Sequence, residues 1–146
     1  MCIRDSLETI TQTLPVIFPV HPRTRKTIAQ LGLNDRVAAM KNLRLIEPLG
    51  YLDFLSLYSN ARLVLTDSGG IQEETTVLGI PCLTLRENTE RPITVELGTN
   101  VVVGTDTSRI LAAATAALNG SFNNKIARQP PLWDGHTSER ILDVLE

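Results

Sequence analysis

The sequence predicts a doubly wound α/β fold, a parallel sheet covered by helices. Three observations carry this expectation. Apolar runs of four or five residues alternate with helix-like segments of about ten. The runs are continuous rather than alternating, as parallel strands buried on both faces are. Polar segments follow directly after three of the runs, where the carboxyl ends of parallel strands gather ligands.

The elements follow in order. Residues 1–6 show no period and are expected to be a non-native or disordered start. Ser6 then caps a helical piece using Leu7, Ile10 and Leu14, ended by Pro15. Residues 16–20 form a short apolar strand, and residues 24–31 a helix stopped by Gly32. Residues 43–46 read as a second strand. Residues 51–61 read as a helix with Leu52, Leu55 and Tyr58 on one face. A third strand at 63–66 leads into a helix at 70–78 that Gly79 ends. Strands at 81–85 and 101–103 come next, with Pro92 opening a short helix between them that runs through Leu97. Residues 108–118 form an amphipathic helix on Ile110, Leu111, Ala114 and Leu118, and a last helix runs from Thr137 to the end. A unit of this kind normally opens on a strand, whereas this chain opens on a helix, so a first strand is expected to be missing.

Composition narrows the function classes. A chain of 146 residues fits one domain with a real core. Its net charge of −2 gives no reason to expect nucleic acid or an acidic membrane as partner. Cys2 and Cys82 have no metal-type spacing and make no disulfide framework, which points to a reducing, cytoplasmic setting. No apolar run approaches the roughly 18 residues of a membrane span.

Three segments at strand ends carry candidate chemistry. In the first, a strand runs through Asp67 into Ser68-Gly69-Gly70 and a helix carrying Glu73 and Glu74. A helix N-terminus offers free N–H donors and partial positive charge, and glycines let the backbone approach an anion. A carboxylate one turn on can accept bonds from the two hydroxyls of a ribose. Phosphate on the glycines and ribose on a glutamate together indicate a nucleotide. The plainer account is a cap by Asp67 or Ser68 with an acidic first turn. In the second, Arg86, Glu87, Glu90 and Arg91 crowd the loop before Pro92. Arg91 offers a planar fork suited to phosphate, with Thr89 or Glu90 near the helix cap; the plainer account is a solvated loop. In the third, His21 stands between Val20 and Pro22, where it could donate to a phosphate or a sugar hydroxyl, although a lone histidine is more often structural. His136 is a weaker candidate. A nucleoside diphosphate site accounts for all three segments at once.

The run from Thr66 through Ser68-Gly69-Gly70 to Glu73-Glu74, the Gly79-Ile80-Pro81 turn, and Asn88-Thr89-Glu90-Arg91-Pro92 resemble the non-hydrolysing UDP-N-acetylglucosamine 2-epimerases. Pro19-Val20-His21-Pro22 matches as well, as does Trp133-Asp134-Gly135 leading to Glu139-Arg140. The resemblance covers nearly the whole chain after residue 6. It implies that residues 7–146 are the Rossmann-like C-terminal half of a two-domain fold of the GT-B type, binding UDP and UDP-N-acetylhexosamine. Ser68, Gly69 and Gly70 would hold the pyrophosphate and Glu74 the ribose. Arg91 and His21 would line the phosphate and sugar side, with His21 in a supporting catalytic role. Leu49 would meet the uracil through its backbone and Phe54 through its ring. The reaction implied inverts C2 of the sugar by eliminating UDP and adding it back, with neither metal nor cofactor. The acid/base carboxylates would come from an N-terminal domain that this chain lacks, so the chain alone is expected to be inactive. The complete protein is expected to be a homodimer serving cell-envelope polysaccharide synthesis. Two alternatives remain open. One is the donor-binding half of a glycosyltransferase or a hydrolysing epimerase. The other is a non-catalytic nucleotide-binding or interaction module.

Overall fold

A computed structural model describes residues 3–121 and 130–145. Among these, helices α1 (Ile3–Ile10), α2 (Pro22–Gln30), α3 (Asn34–Ala39) and α4 (Tyr51–Ser59) accompany strands β1 (Val16–Pro19) and β2 (Leu43–Ile46). Strands β3 (Val64–Thr66), β4 (Cys82–Thr84) and β5 (Asn100–Val102) then alternate with α5 (Gly69–Leu78), α6 (Pro92–Glu96) and α7 (Thr107–Leu118), and α8 (Thr137–Leu145) closes the described chain.

Every strand pairing is parallel, as the continuous apolar runs predict. β1 lies beside β2 with Val16 opposite Leu43, and β4 lies between β3 and β5 with Leu83 opposite both Leu65 and Val101. The ladder is in two parts, β1-β2 and β3-β4-β5. Among the described residues, β1 and β3 each pair on one edge only. A common core still joins the two parts. Ile10, Leu83, Val103, Ile110 and Ala114 are buried together, with Val16 of β1 and Leu65 of β3 packed against them. α1 lies along α7.

Several boundaries differ from the expected ones. α1 begins at Ile3, ahead of the expected cap at Ser6, and Ser6 is fully buried. Met1 and Cys2 lie outside the described residues. α1 ends at Ile10 instead of running to Leu14. There the backbone tightens, with Gln12 N–H donating to Thr9 O and Thr13 N–H to Ile10 O three residues back, and the Thr11 hydroxyl donates to the Glu8 carbonyl that a continuing helix would have bonded to Gln12 N–H. α2 starts two residues early because Pro22 suits a first helical position. α3 was not foreseen: its six residues are too few to show an apolar period. Leu52 was expected to share a buried face with Leu55 and Tyr58. It is 75% exposed, because the packed side of α4 follows Phe54 and Tyr58 instead. No residue of α8 is buried, and Ile141, Leu142, Val144 and Leu145 are exposed. No helix among the described residues is long and apolar enough to cross a membrane.

Candidate functional site

The loop between β3 and α5 is the best-formed anion-type feature. Thr66 is buried, and its Oγ1 accepts a bond from the Ser68 N–H at 3.1 Å, which bends the chain out of the strand. Ser68 is the N-cap of α5 in extended conformation, yet its side chain makes no capping bond. The plain capping account therefore fails for Ser68, and its hydroxyl faces solvent beside the glycines. The first backbone bond back into the helix is Gln72 N to Ser68 O, so the amides of the first turn lie ahead of the ladder. These donors and the helix dipole make the turn attractive to an anion.

Arg91 closes over this turn. A Cβ placed on Gly69 would lie 3.7 Å from Arg91 Cγ and 3.8 Å from its Nε, so the guanidinium stem passes directly across the glycine. Arg91 Nε is 2.8 Å from Glu73 Oε1. The same Nε has no hydrogen-bond partner. The two facts agree if the contact is an ion pair in which the N–H does not point at the carboxylate; the distance makes it ionic, and the missing alignment leaves the donor direction open. Both groups are about two-fifths exposed, so the pair adds little to stability. It fixes where a positive charge stands. Thus Ser68, Gly69, Gly70, Glu73 and Arg91 lie together at one turn.

Glu74 is held from the other side. The Tyr58 hydroxyl donates to Glu74 Oε2, and Tyr58 stacks edge-on against Phe54 with ring centroids 5.1 Å apart at 73°. Burial, and then the bond to Glu74, push the Tyr58 phenol above its ordinary pKa. Tyr58 therefore stays a donor and orients the carboxylate. Sequence reading placed Tyr58 on the apolar face of α4 and missed this polar role; its signal is the Phe54–Tyr58 spacing of one helical turn opposite a glutamate-bearing helix.

His21 is the N-cap of α2, and its Nδ1 accepts from Arg23 N at 3.3 Å. That bond leaves Nε2 as the position for a proton in the neutral ring. His21 is exposed. Leu49 is exposed in the loop after β2, just ahead of α4. The loop is tied to α2 by Arg25 and Glu47 at 2.8 Å. His136 sits 3.0 Å from Glu139 at the start of α8, away from the other candidates in its contacts. No group of three or more histidine, cysteine or carboxylate side chains among the described residues is placed to hold a metal ion.

Beside Glu73 and Glu74 lies an open cleft of about 450 Å³ walled by Tyr51, Leu55, Val77, Leu78 and Trp133. Its apolar walls and acidic edge suit a ring-bearing ligand with hydroxyls. A smaller groove of about 340 Å³ includes Glu8, Arg36 and Asn42 and precedes β1 and β2, at the ends opposite to where ligands collect. Its Arg36 is already bound to Asp5 and Glu8.

Comparison with known proteins gives a consistent result. Residues 2–146 match the family model described as UDP-N-acetylglucosamine 2-epimerase. The UDP-N-acetylglucosamine 2-epimerase of Methanocaldococcus jannaschii is 46% identical over 130 residues, covering 89% of this chain and 34% of that protein. That of Escherichia coli strain K12 is 39% identical over 144 residues, covering 96% of this chain and 37% of that protein. Among solved structures, the Methanocaldococcus jannaschii UDP-GlcNAc 2-epimerase superposes with a TM-score of 0.84 at 42% identity, over 98% of this chain and 39% of that one. The Neisseria meningitidis UDP-GlcNAc 2-epimerase bound to UDP-GlcNAc does so at 0.78 and 37%, over 98% of this chain and 40% of that one. The chain thus spans between a third and two-fifths of the length of these relatives.

Proposed function

Because this chain belongs to the UDP-N-acetylglucosamine 2-epimerase family, we propose that it is the UDP-binding half of such an enzyme. One observation carries the reading: an uncapped helix N-terminus with two glycines lies under Arg91, and one turn further on Glu74 is oriented by a buried tyrosine. The pyrophosphate sits on Ser68, Gly69 and Gly70 with Arg91 over it. Glu74 accepts the ribose hydroxyls. Phe54 and the Leu49 backbone face the uracil, and His21 lies on the sugar side. The Methanocaldococcus jannaschii relative crystallised with UDP-GlcNAc and UDP, which superposes at a TM-score of 0.79, supports a ligand of this class.

In the parent reaction a base takes the C2 proton, the C1–O bond breaks and UDP leaves with its electron pair. The C1–C2 double bond of the sugar intermediate is then reprotonated on the opposite face as UDP adds back. This interconverts UDP-GlcNAc and UDP-ManNAc. The acid/base carboxylates belong to the N-terminal domain of the parent, so the 146-residue chain binds but does not epimerise. The edges of β1 and β3 that are unpaired among the described residues support one further element of the reading. The strand orders β2-β1 and β3-β4-β5 become a standard Rossmann order when one parallel strand is placed between β1 and β3.

The test is calorimetric titration of the purified chain with UDP, uridine and AMP. Selective heat with UDP is expected; equal affinity for UDP and uridine would remove the phosphate assignment. Glu74→Ala should weaken UDP more than 2′-deoxy-UDP, and equal losses would remove the ribose assignment.

A further inference from the structure

Behind the anion turn lies a polar cluster that the site reading leaves unused. Gln72 is 1% exposed, and Asn100, Thr84 and Thr94 are 0% exposed. Thr84 Oγ1 donates to Asn100 Oδ1 at 2.6 Å. Asn100 Nδ2 donates to Gln72 Oε1 at 3.1 Å and to Thr94 Oγ1 at 3.0 Å. Thr89 Oγ1 also donates to Gln72 Oε1, at 2.5 Å. The cluster has two outlets, and both end on one residue. Thr89 Oγ1 accepts from Arg91 N at 2.9 Å, and Thr94 Oγ1 donates to Arg91 O at 2.7 Å.

Burying two amides and several hydroxyls is costly unless each is bonded, and apolar side chains of like size would fill the same space. A satisfied buried network gains one specific geometry instead. Here the geometry concerns Arg91, whose backbone at φ −125° and ψ 61° belongs to neither helix nor strand. Gln72 lies on α5, the helix whose N-terminus offers the anion site. The network therefore ties the arginine to the same rigid body as the amides it works with.

We infer that Gln72 and Asn100 are positioning residues: through Thr89 and Thr94 they hold both backbone groups of Arg91, so that its guanidinium stands in register with the α5 N-terminus for a diphosphate. This rests on the reading of Arg91 as a phosphate partner. Long cationic side chains have much rotamer freedom to lose, so a fixed Cα removes part of the ordering cost at binding.

The experiment measures the ratio of UDP to uridine affinity for the full 146-residue chain and its variants, with a melting temperature for each. Thr89→Val and Thr94→Val delete a hydroxyl while keeping shape; Thr89→Ser and Thr94→Ser keep the hydroxyl. Arg91→Ala should lower the ratio by roughly tenfold or more, the scale of a charge-assisted bond. Each valine variant should lower it by about threefold to tenfold, part of that same bond, with uridine affinity unchanged. Each serine variant should restore it. Adding Thr89→Val to Arg91→Ala should cost nothing further in the ratio, because the hydroxyl acts through the arginine. The two threonines report independently, so a folding failure at one leaves the other decisive. Valine variants that melt earlier but keep the parental ratio, while Arg91→Ala loses it, overturn the positioning role and leave the phosphate reading standing. A parental chain with no preference for UDP, or an Arg91→Ala ratio equal to the parental one, overturns the phosphate reading and this inference with it.

Discussion

Gly98 is the position where one added methyl group should do the most damage. A Cβ there would lie 2.4 Å from Thr76 Oγ1, 2.5 Å from Thr76 Cγ2 and 2.6 Å from the Thr94 carbonyl oxygen. Ordinary van der Waals contact begins at 3.4 Å, so the shortfall is between 0.8 and 1.0 Å at three atoms. Backbone conformation is not the obstacle, since Gly98 is not in the left-handed region. Neither neighbour can move cheaply. Thr76 is buried, and its Oγ1 donates to Gln72 O at 2.8 Å. The Thr94 oxygen belongs to the backbone of α6, and its side chain is fully buried. Overpacking costs about 1–3 kcal/mol, and the upper half applies when two rigid partners are struck at once. Turning Thr76 away would add about 1 kcal/mol for its lost bond. Restricting the unfolded chain returns about 0.4–1 kcal/mol. Gly98→Ala should therefore cost about 2–3 kcal/mol. At roughly 2–4 °C per kcal/mol for a chain of this size, the melting temperature should fall by about 5–10 °C. Calorimetric melting of the two proteins reads this directly. Adding Thr76→Ala should recover only part of the loss, because the α6 carbonyl still blocks the methyl. A Gly98→Ala protein melting within 1 °C or so of the parent would refute the close approach of α6 to α5 on which the Arg91 geometry depends.

Tyr58→Phe removes the donor to Glu74 and should lower stability by about 1 kcal/mol, the low end for a bond to a carboxylate that water can partly replace. It should also narrow the preference for UDP over 2′-deoxy-UDP, measured by titration; an unchanged preference would mean that the bond does not orient the carboxylate. The bonds from Arg140 foremost, and the His136 N–H, hold the Asp134 carboxyl down at about 2, below its usual range. A depressed carboxylate stabilises the fold above its unfolded pKa near 4, and that contribution is lost as pH falls toward 2. The NMR titration midpoint of Asp134 should be near 2 in the parent and should rise toward the free value in Arg140→Ala, stopping short of it because the His136 N–H still donates. An equal midpoint in both would show that the Arg140 contact does not persist in solution.

Much of this protein is legible in the chain itself. Continuous apolar runs at 16–20, 63–66 and 81–85 signal strands buried on both faces, and each strand found there is parallel. Gly79 signals the end of α5 because the left-handed conformation it adopts, at φ 71°, costs glycine little. Ser68, Gly69, Gly70 and Arg91 stand out because residue types suited to an anion recur at strand ends. These are short-range properties, carried by period and by backbone preference. The helix α3 is hard to see because its six residues are too few to show an apolar period, and the true start of α1 is hidden because its first turn offers one large apolar residue, Ile3, which packs against the core beside the buried Ser6.

What tertiary structure alone decided is which polar groups meet. Gln72, Thr84, Thr89, Thr94 and Asn100 look like unremarkable helix, strand and loop residues in a linear reading, and 28 positions separate Gln72 from Asn100. Only packing of α5 against β4, β5 and α6 brings them into one buried network. The same holds for Tyr58 and Glu74, 16 positions apart, and for the Arg91 stem lying across Gly69. A hydrogen bond depends on tenths of an ångström between groups that the chain does not connect. Burial, which makes such bonds obligatory, is likewise a property of the assembled core. Sequence determined the elements and the kind of ligand end they present; the three-dimensional arrangement determined which side chains hold that end in shape.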